Sequence, residues 1–291
     1  LWAGPKGWQT SVHNPTALDA ILTGKPYPVR AMYVSGVNIA VTYPDTRKVM
    51  AALKSLDFLA VASHMMTPTS EIADIVLPKT TGLEEEEVSL EPSAQIVCYT
   101  NPVKTPEGKA RSDFDFTTDL ARRLETRGID TRKFFPWETK QEFNEYLLGD
   151  EIDWDLFKEQ GWAPFDFKLG NFDEAGFKTP SGRIELWSQT LDEIGVDPLP
   201  AYDTPRAEQS SVAEKQEFPL ILITGAREKT YHHSRYRDQA WARKVSPFPL
   251  LQVHPDDADR QGLLDGDWIA VETAGFEGAC KLKVTITRET D

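Results

Sequence analysis

The chain has 291 residues, 40% of them hydrophobic and 27% charged, with a formal net charge of -14. These are the values of an ordinary globular chain long enough for about two domains, and the acidity argues against nonspecific nucleic-acid binding, which needs a basic field. Cys98 and Cys280 stand alone without a CxxC, which excludes a thiolate zinc site or iron–sulfur cluster here.

The start, LWAGPKGWQT, carries no initiator Met, basic segment or apolar core, so no targeting signal is legible and the compartment stays open. VRAMYVSG, residues 29–36, then reads as a buried strand, rich in β-branched and aromatic residues. NIAVTYPD follows as a loop. Asp45 can cap a helix whose apolar positions Val49, Ala52, Leu53 and Leu56 keep a 3.6-residue period. DFLAVAS predicts a second buried strand, PTSEIA a helical turn, and DIVLP a third strand. This order implies parallel pairing with right-handed crossovers. Sheets of that kind bind ligands beyond the carboxyl ends of their strands. Here those ends are Gly36 to Asn38, Ser63 to Thr67 and Pro78 to Thr81, all small, polar or turn-forming. His64, at such an end, reads equally as a structural or a functional histidine. No apolar run nears the roughly 18 residues that span a bilayer; the longest, around Asp57 to Met66, is broken by Ser63 and His64, so no direct membrane span is expected.

LEEEEVSLE, residues 83–91, reads as a solvated acidic loop. SDFDFTTDLARRLETRG predicts a helix, with Ser112 and Asp115 as a capping box and Gly128 at its C-terminal end. Beyond Ile129 the pattern weakens, and Trp137, Trp154, Trp162 and Trp187 are scattered among acidic residues. FKTPSGRIELWS reads as a turn at Pro180 to Gly182 leading into a strand. The Pro-, Ser- and Glu-rich stretch from Gly195 to Pro219 reads as an exposed linker. FPLILITG then predicts a strand.

The loop after it, TGAREKTYHHSRYR, concentrates Arg227, Lys229, Arg235 and Arg237 with His232 and His233 in an acidic chain. Such donors suit an anionic or heteroaromatic ligand; the alternative is a solvated basic loop. The two adjacent histidines are not a metal pair by spacing. HPDDADRQG predicts a short helix opened by Pro255 and closed by Gly262, with His254 a capping or packing residue. LLDGDWIAVETAGFEGACKLKVTIT reads as a hairpin, because Cys280, Leu282, Val284 and Ile286 alternate with polar residues. Three or four strands are too few to close a barrel. The chain is therefore expected to be a piece of something longer. Cys98 and Cys280 are expected to be buried thiols, with a disulfide between them as the alternative. No nucleophile elbow, Walker loop or GxGxxG is present, so no catalytic residue is assigned.

Together the motifs resemble a known family. GVNIAVTYPDTRKVMAALKSLDFLAVASHMMTPTSEIADIVLP is similar to the third domain of the molybdopterin oxidoreductases, the dimethyl sulfoxide reductase family. TPEGKARSDFDFTTDLARRL and TPSGRIEL resemble further family segments. LILITGAREKTYHHSRYR with HPDDADRQGLLDGDWIAVET resembles the start of the family's C-terminal dinucleotide-binding domain. The pattern is similar to the branch of acetylene hydratases and polysulfide or thiosulfate reductases. Ile39 and Ser63 depart from it, standing where many relatives have Pro and Asp.

The resemblance implies an α/β fold: a parallel-sheet, Rossmann-like domain over 1–130, an irregular connection over 131–216, and a partial double-psi β-barrel over 217–291. It implies a parent oxidoreductase holding molybdenum or tungsten between two molybdopterin guanine dinucleotides. Its metal ligand and iron–sulfur cysteines would lie N-terminal to the matched region. This segment would then be inactive alone and would retain no cofactor. Its partners would be the N-terminal domains of the same polypeptide and an iron–sulfur electron-transfer subunit. Gly36, Asn38, Ser63, His64 and Thr67 would line a guanosine crevice, with Asp113 at the guanine edge. Thr224, Gly225, Arg227, His232, His233 and Ser234 would approach the pterin and its pyrophosphate. The alternative is a stand-alone nucleotide-binding or protein-interaction module without catalysis.

Overall fold

The structure is a computed structural model; it describes residues 12–91, 94–149, 152–164, 172–199, 201–202, 210–224, 229–231, 236, 238–274 and 278–290. The chain divides into two compact units, Leu1–Leu199 and Pro200–Asp291.

The first unit opens with α1 (Asn14–Thr23) and β1 (Ala31–Ser35), followed by a one-turn helix α2 (Ile39–Thr42) inside the expected loop. α3 (Thr46–Lys54) is capped as its sequence predicts, Asp45 accepting from the Lys48 amide at 3.1 Å. β2 (Phe58–Ser63), a 3₁₀ turn at Ser70–Ile72 and β3 (Ile75–Pro78) complete a parallel sheet in the order β1-β2-β3. Ala31 pairs with Phe58, and Ala60 with Ile75. Four consecutive residues of β2, Leu59 to Ala62, are buried. This is why β2 reads as an unbroken apolar run: a central parallel strand is covered on both faces. Leu18, Ile21, Val34, Val49, Leu53 and Leu59 form the core between helices and sheet.

The acidic stretch is not a loop throughout. Glu87–Glu91 is strand β4, antiparallel to β5 (Ile96–Thr100), which pairs in turn with β6 (Trp162–Pro164). Specific partners, not hydropathy, hold the acids there. Tyr99 donates to Glu86 at 2.7 Å, Asn144 donates to the same carboxylate at 3.3 Å, and Lys140 pairs with Glu87 at 3.3 Å. Burial and the Glu86 carboxylate push the Tyr99 phenol well above its ordinary range. Val97, Tyr99 and Phe157 form the core beneath, Phe157 coming from α6 (Trp154–Gln160). α4 (Asp113–Glu125) carries the predicted Ser112–Asp115 capping box, and α5 (Lys140–Leu148) carries a second, Thr139–Glu142. Past the turn at Pro180 to Gly182 no strand forms, and Ile184 and Leu186 stay exposed.

In the second unit, β7 (Leu250–Val253), β8 (Trp268–Val271) and β9 (Cys280–Ile286) form a sheet in the order β7-β9-β8. β9 runs parallel to β7 and antiparallel to β8, so the predicted hairpin is present. The helix Pro255–Gln261 starts at His254, whose side chain accepts from the Asp256 amide, and ends at Gly262 with φ 66°. Val253, Ala258 and Val284 are its buried core. The strand expected over 218–225 is absent from the described part of that stretch. Leu220 to Thr224 are non-strand and exposed, since β-propensity without a pairing neighbour does not make a strand. The cysteines are free; Cys98 is half-buried and Cys280, at the start of β9, is exposed, so neither is the buried thiol expected.

Candidate functional site at the strand ends

The carboxyl ends of β1, β2 and β3 converge with the first turn of α4. β1 leaves the sheet through Gly36, whose φ of 71° lies in the left-handed region that favours glycine. An isolated parallel bridge, Lys79 to Arg111, brings α4 alongside β3. Tyr33 of β1 stacks on Phe116 of α4 at 4.7 Å. These contacts bring Asp113 over the end of β1. Its Oδ1 accepts from the Ser35 hydroxyl at 2.6 Å and from the Tyr33 hydroxyl at 3.4 Å, while Oδ2 accepts from the Lys79 ammonium. Lys79 also donates to Ser35 Oγ at 3.2 Å.

Burial pushes the Asp113 carboxyl up, but the hydrogen bonds from Lys79 and Ser35 outweigh it, so the group lies below the usual carboxylate range. Burial moves the Tyr33 phenol the other way, upward.

Beside this cluster lies a cavity of about 390 Å³, lined by residues that include Ser63, His64, Lys79, Thr81, Glu84 and Lys104. Its size falls within the roughly 300–1,000 Å³ of small-molecule sites. His64 Nδ1 donates to the Lys79 carbonyl at 3.2 Å, which fixes the ring proton on Nδ1. Ser63 Oγ donates to the Met65 carbonyl at 2.8 Å. Glu84 accepts from the Thr81 amide at 2.8 Å, the Thr81 hydroxyl at 3.0 Å and the Glu107 amide at 3.2 Å. The Thr81 bonds, with that of Glu107 and the charge of Lys104, hold Glu84 below the ordinary range. Burial raises its neighbour Glu85 instead.

Of the residues expected from sequence, Gly36, Ser63, His64 and Asp113 come together around Lys79; a Cβ on Gly36 would sit 3.9 Å from its Nζ. Asn38 and Thr67 are buried and not among the residues lining the cavity. Asn38 Oδ1 accepts from Thr69 at 2.7 Å, Thr69 Oγ1 accepts from the Ala40 amide at 3.0 Å, and Thr67 and Ser70 share a hydrogen bond at 2.9 Å. They hold the two loops that frame the crevice. Thr224 is exposed in the second unit. Gly225, Arg227, His232, His233 and Ser234 lie outside the described residues.

Sequence reasoning missed Tyr33, Ser35, Lys79 and Glu84 as site residues. Lys79 sat inside a strand end already singled out, and Tyr33 and Ser35 share a face of β1 by their period of two. Among the described residues no group of three or more His, Cys, Asp or Glu is placed to hold a metal ion. No helix among them is long and apolar enough to cross a membrane.

Comparison with known proteins gives this arrangement a context. Residues 10–123 match the molybdopterin oxidoreductase family model, and residues 220–290 match the molydopterin dinucleotide binding domain. The chain is 34% identical over 269 residues to acetylene hydratase of Syntrophotalea acetylenica, covering 89% of this chain and 36% of that protein. It is 26% identical over 278 residues to the trimethylamine-N-oxide reductase of Haemophilus influenzae, covering 85% of this chain and 33% of that protein. The solved structure of acetylene hydratase from Pelobacter acetylenicus superposes with a TM-score of 0.84 at 32% identity, over 95% of this chain and 38% of that one. The chain thus spans about a third of the length of these curated relatives.

Proposed function

We infer that this chain, which belongs to the molybdopterin oxidoreductase family, supplies cofactor-binding surface to a longer metalloenzyme. In this reading the crevice at the ends of β1, β2 and β3 receives one guanosine end of a molybdopterin guanine dinucleotide. The observation that carries it is the meeting of Ser63, His64, Lys79 and Asp113 at three parallel strand ends, next to a cavity of about 390 Å³. The donor set fits the group. Lys79 and Lys104 offer cations for phosphate, and Asp113 offers a carboxylate whose two oxygens can accept the paired N–H groups of guanine. Asn38 and Thr69 keep the loop after β1 in place.

The second unit, with its β7-β9-β8 sheet and the loop carrying Arg227, His232, His233 and Ser234, would face the pterin and pyrophosphate as part of a double-psi β-barrel. When bound, the cofactor supplies a molybdenum or tungsten centre for oxygen-atom or electron transfer, or for hydration as the relative named acetylene hydratase suggests. In this reading the named residues of this chain bind and orient the cofactor. By itself the segment would be inactive. Its partners would be the remaining domains of a longer polypeptide and an iron–sulfur electron-transfer subunit.

Calorimetric titration of the 291-residue chain with guanosine diphosphate, beside adenosine diphosphate and an Asn38→Ala variant, tests the reading. Saturable binding selective for guanine, weakened about tenfold or more by Asn38→Ala, is expected. Equal binding of both nucleotides, or none, would overturn the guanosine assignment.

A further inference from the structure

Both oxygens of Asp113 are engaged before any ligand arrives. Oδ1 takes the hydroxyls of Ser35 and Tyr33, and Oδ2 takes the Lys79 ammonium. The Lys79 side chain is 14% exposed and that of Asp113 50%, so the ammonium is the more withdrawn partner and the carboxylate the more open one. Two cavities meet at Pro78. Lys79 lines the larger, with Ser63, His64 and Lys104; Asp113 lines a smaller one of about 80 Å³, with Tyr33 and Phe116. The ion pair therefore stands at the divide, one partner facing each side.

We propose that Lys79 is a specificity-determining latch on Asp113: a base reaches the carboxylate only by displacing the ammonium, which then turns to the phosphate of the same ligand. The inference rests on the nucleotide reading of the crevice. Its chemistry follows from what can replace an ammonium. A carboxylate stripped of its cation in a half-buried site needs strong donors in return. Guanine presents two adjacent N–H donors, one to take the place of the ammonium on Oδ2 and the other to replace the long 3.4 Å contact of Tyr33 on Oδ1. Adenine presents a donor beside an acceptor, and the acceptor would face the carboxylate. The pair thus sets a threshold that one purine edge passes and the other does not. The released ammonium stays on the side of the larger cavity, where Lys104 lies ion-paired with Glu107 at 2.9 Å. Base recognition and phosphate recognition become linked through one side chain.

A plain structural tie between β3 and α4 predicts something else, and the two can be separated. Guanosine and guanosine diphosphate are titrated calorimetrically into the full 291-residue chain, wild type, Lys79→Met and Lys79→Arg. The latch predicts that Lys79→Met binds guanosine about tenfold more tightly, because the competitor is gone, and loses about tenfold of the advantage that the diphosphate confers. Lys79→Arg should restore the wild-type order. In wild-type protein carrying ¹⁵N-lysine, the Lys79 ammonium resonance should shift on addition of guanosine alone, a readout that needs no variant. Unchanged affinities in Lys79→Met, or an unmoved ammonium signal in protein that does bind guanosine, would overturn the latch while leaving the crevice reading intact. Weaker binding of both ligands with a lowered melting temperature would mark Lys79 as a structural tie and overturn it too. If no protein binds guanosine diphosphate, the crevice reading fails and takes the latch with it.

Discussion

The sheets β1-β2-β3 and β7-β9-β8 each place one strand between two neighbours, yet β2 and β9 live in different surroundings. β2 has four buried residues in a row, and its sheet shares a core of nine buried apolar side chains with α1, α2 and α3. β9 has one buried residue, Val284, in a core of three. The first sheet can hold polar groups at its strand ends in fixed positions because the apolar body behind them is dense. The second has the same strand count and far less behind it. A site's rigidity is thus set by the layer beneath the strands, since packed interiors transmit position and thin ones do not.

The largest test of this contrast is a pair of core truncations. Leu53→Ala, at a position 2% exposed, should cost about 3 kcal/mol and accelerate amide exchange across β1, β2 and β3. Val284→Ala, at 1% exposed, should cost about 2 kcal/mol and act on β7, β8 and β9. Equal or reversed penalties in chemical denaturation would break the comparison.

A smaller effect is expected one layer out, where polar groups replace the core. Thr69→Val keeps the shape of a fully buried side chain but removes the hydroxyl that donates to Asn38 Oδ1 and accepts from the Ala40 amide. The loss should be about 2 kcal/mol, visible as a lower denaturation midpoint. A neutral outcome would mean that the crevice frame does not depend on this bond.

The smallest effect sharpens the electrostatics. The folded-state carboxyl of Asp113 is depressed, so its ionised form adds stability above its unfolded pKa, and that stability is lost as pH falls through the folded value. Half-exposed as it is, the contribution should stay under about 1 kcal/mol after solvent screening. Urea denaturation of wild type and Asp113→Asn should therefore differ at neutral pH and converge as the solution is acidified through the depressed folded-state pKa of Asp113. A gap that widened in acid would reverse the sign.

Much of the first unit was legible because local and global signals agree there. The apolar run of β2, the Asp45 cap and the Ser112–Asp115 box each point to the element that forms. Gly36, Ser63, His64 and Asp113 could be named from strand-end logic and the family resemblance. Lys79 as the partner of Asp113 could not, since 34 residues separate them and only the approach of α4 to β1 and β3 chooses the pair. β4 was hidden because its acids are neutralised by residues far along the chain, Lys140 among them. Leu220 to Ile223 misled in the opposite way: their composition suits a strand, and no described neighbour pairs with them.

The four glutamates from Glu84 to Glu87 look interchangeable on paper, and their surroundings make them unlike. Glu84 is bound by Thr81 and the Glu107 amide, Glu85 is half-buried and raised, Glu86 receives Tyr99 and Asn144, and Glu87 meets Lys140 as β4 begins. Glu84 to Glu86 lie in the turn that leads into β4, where each position meets different neighbours, so each carboxylate owes its partner to its place in the count. A repeat of one amino acid would ordinarily tolerate growing or shrinking by a unit. Here a single inserted or deleted glutamate would hand every carboxylate its neighbour's environment, so the run is repetitive in letters and fixed in length.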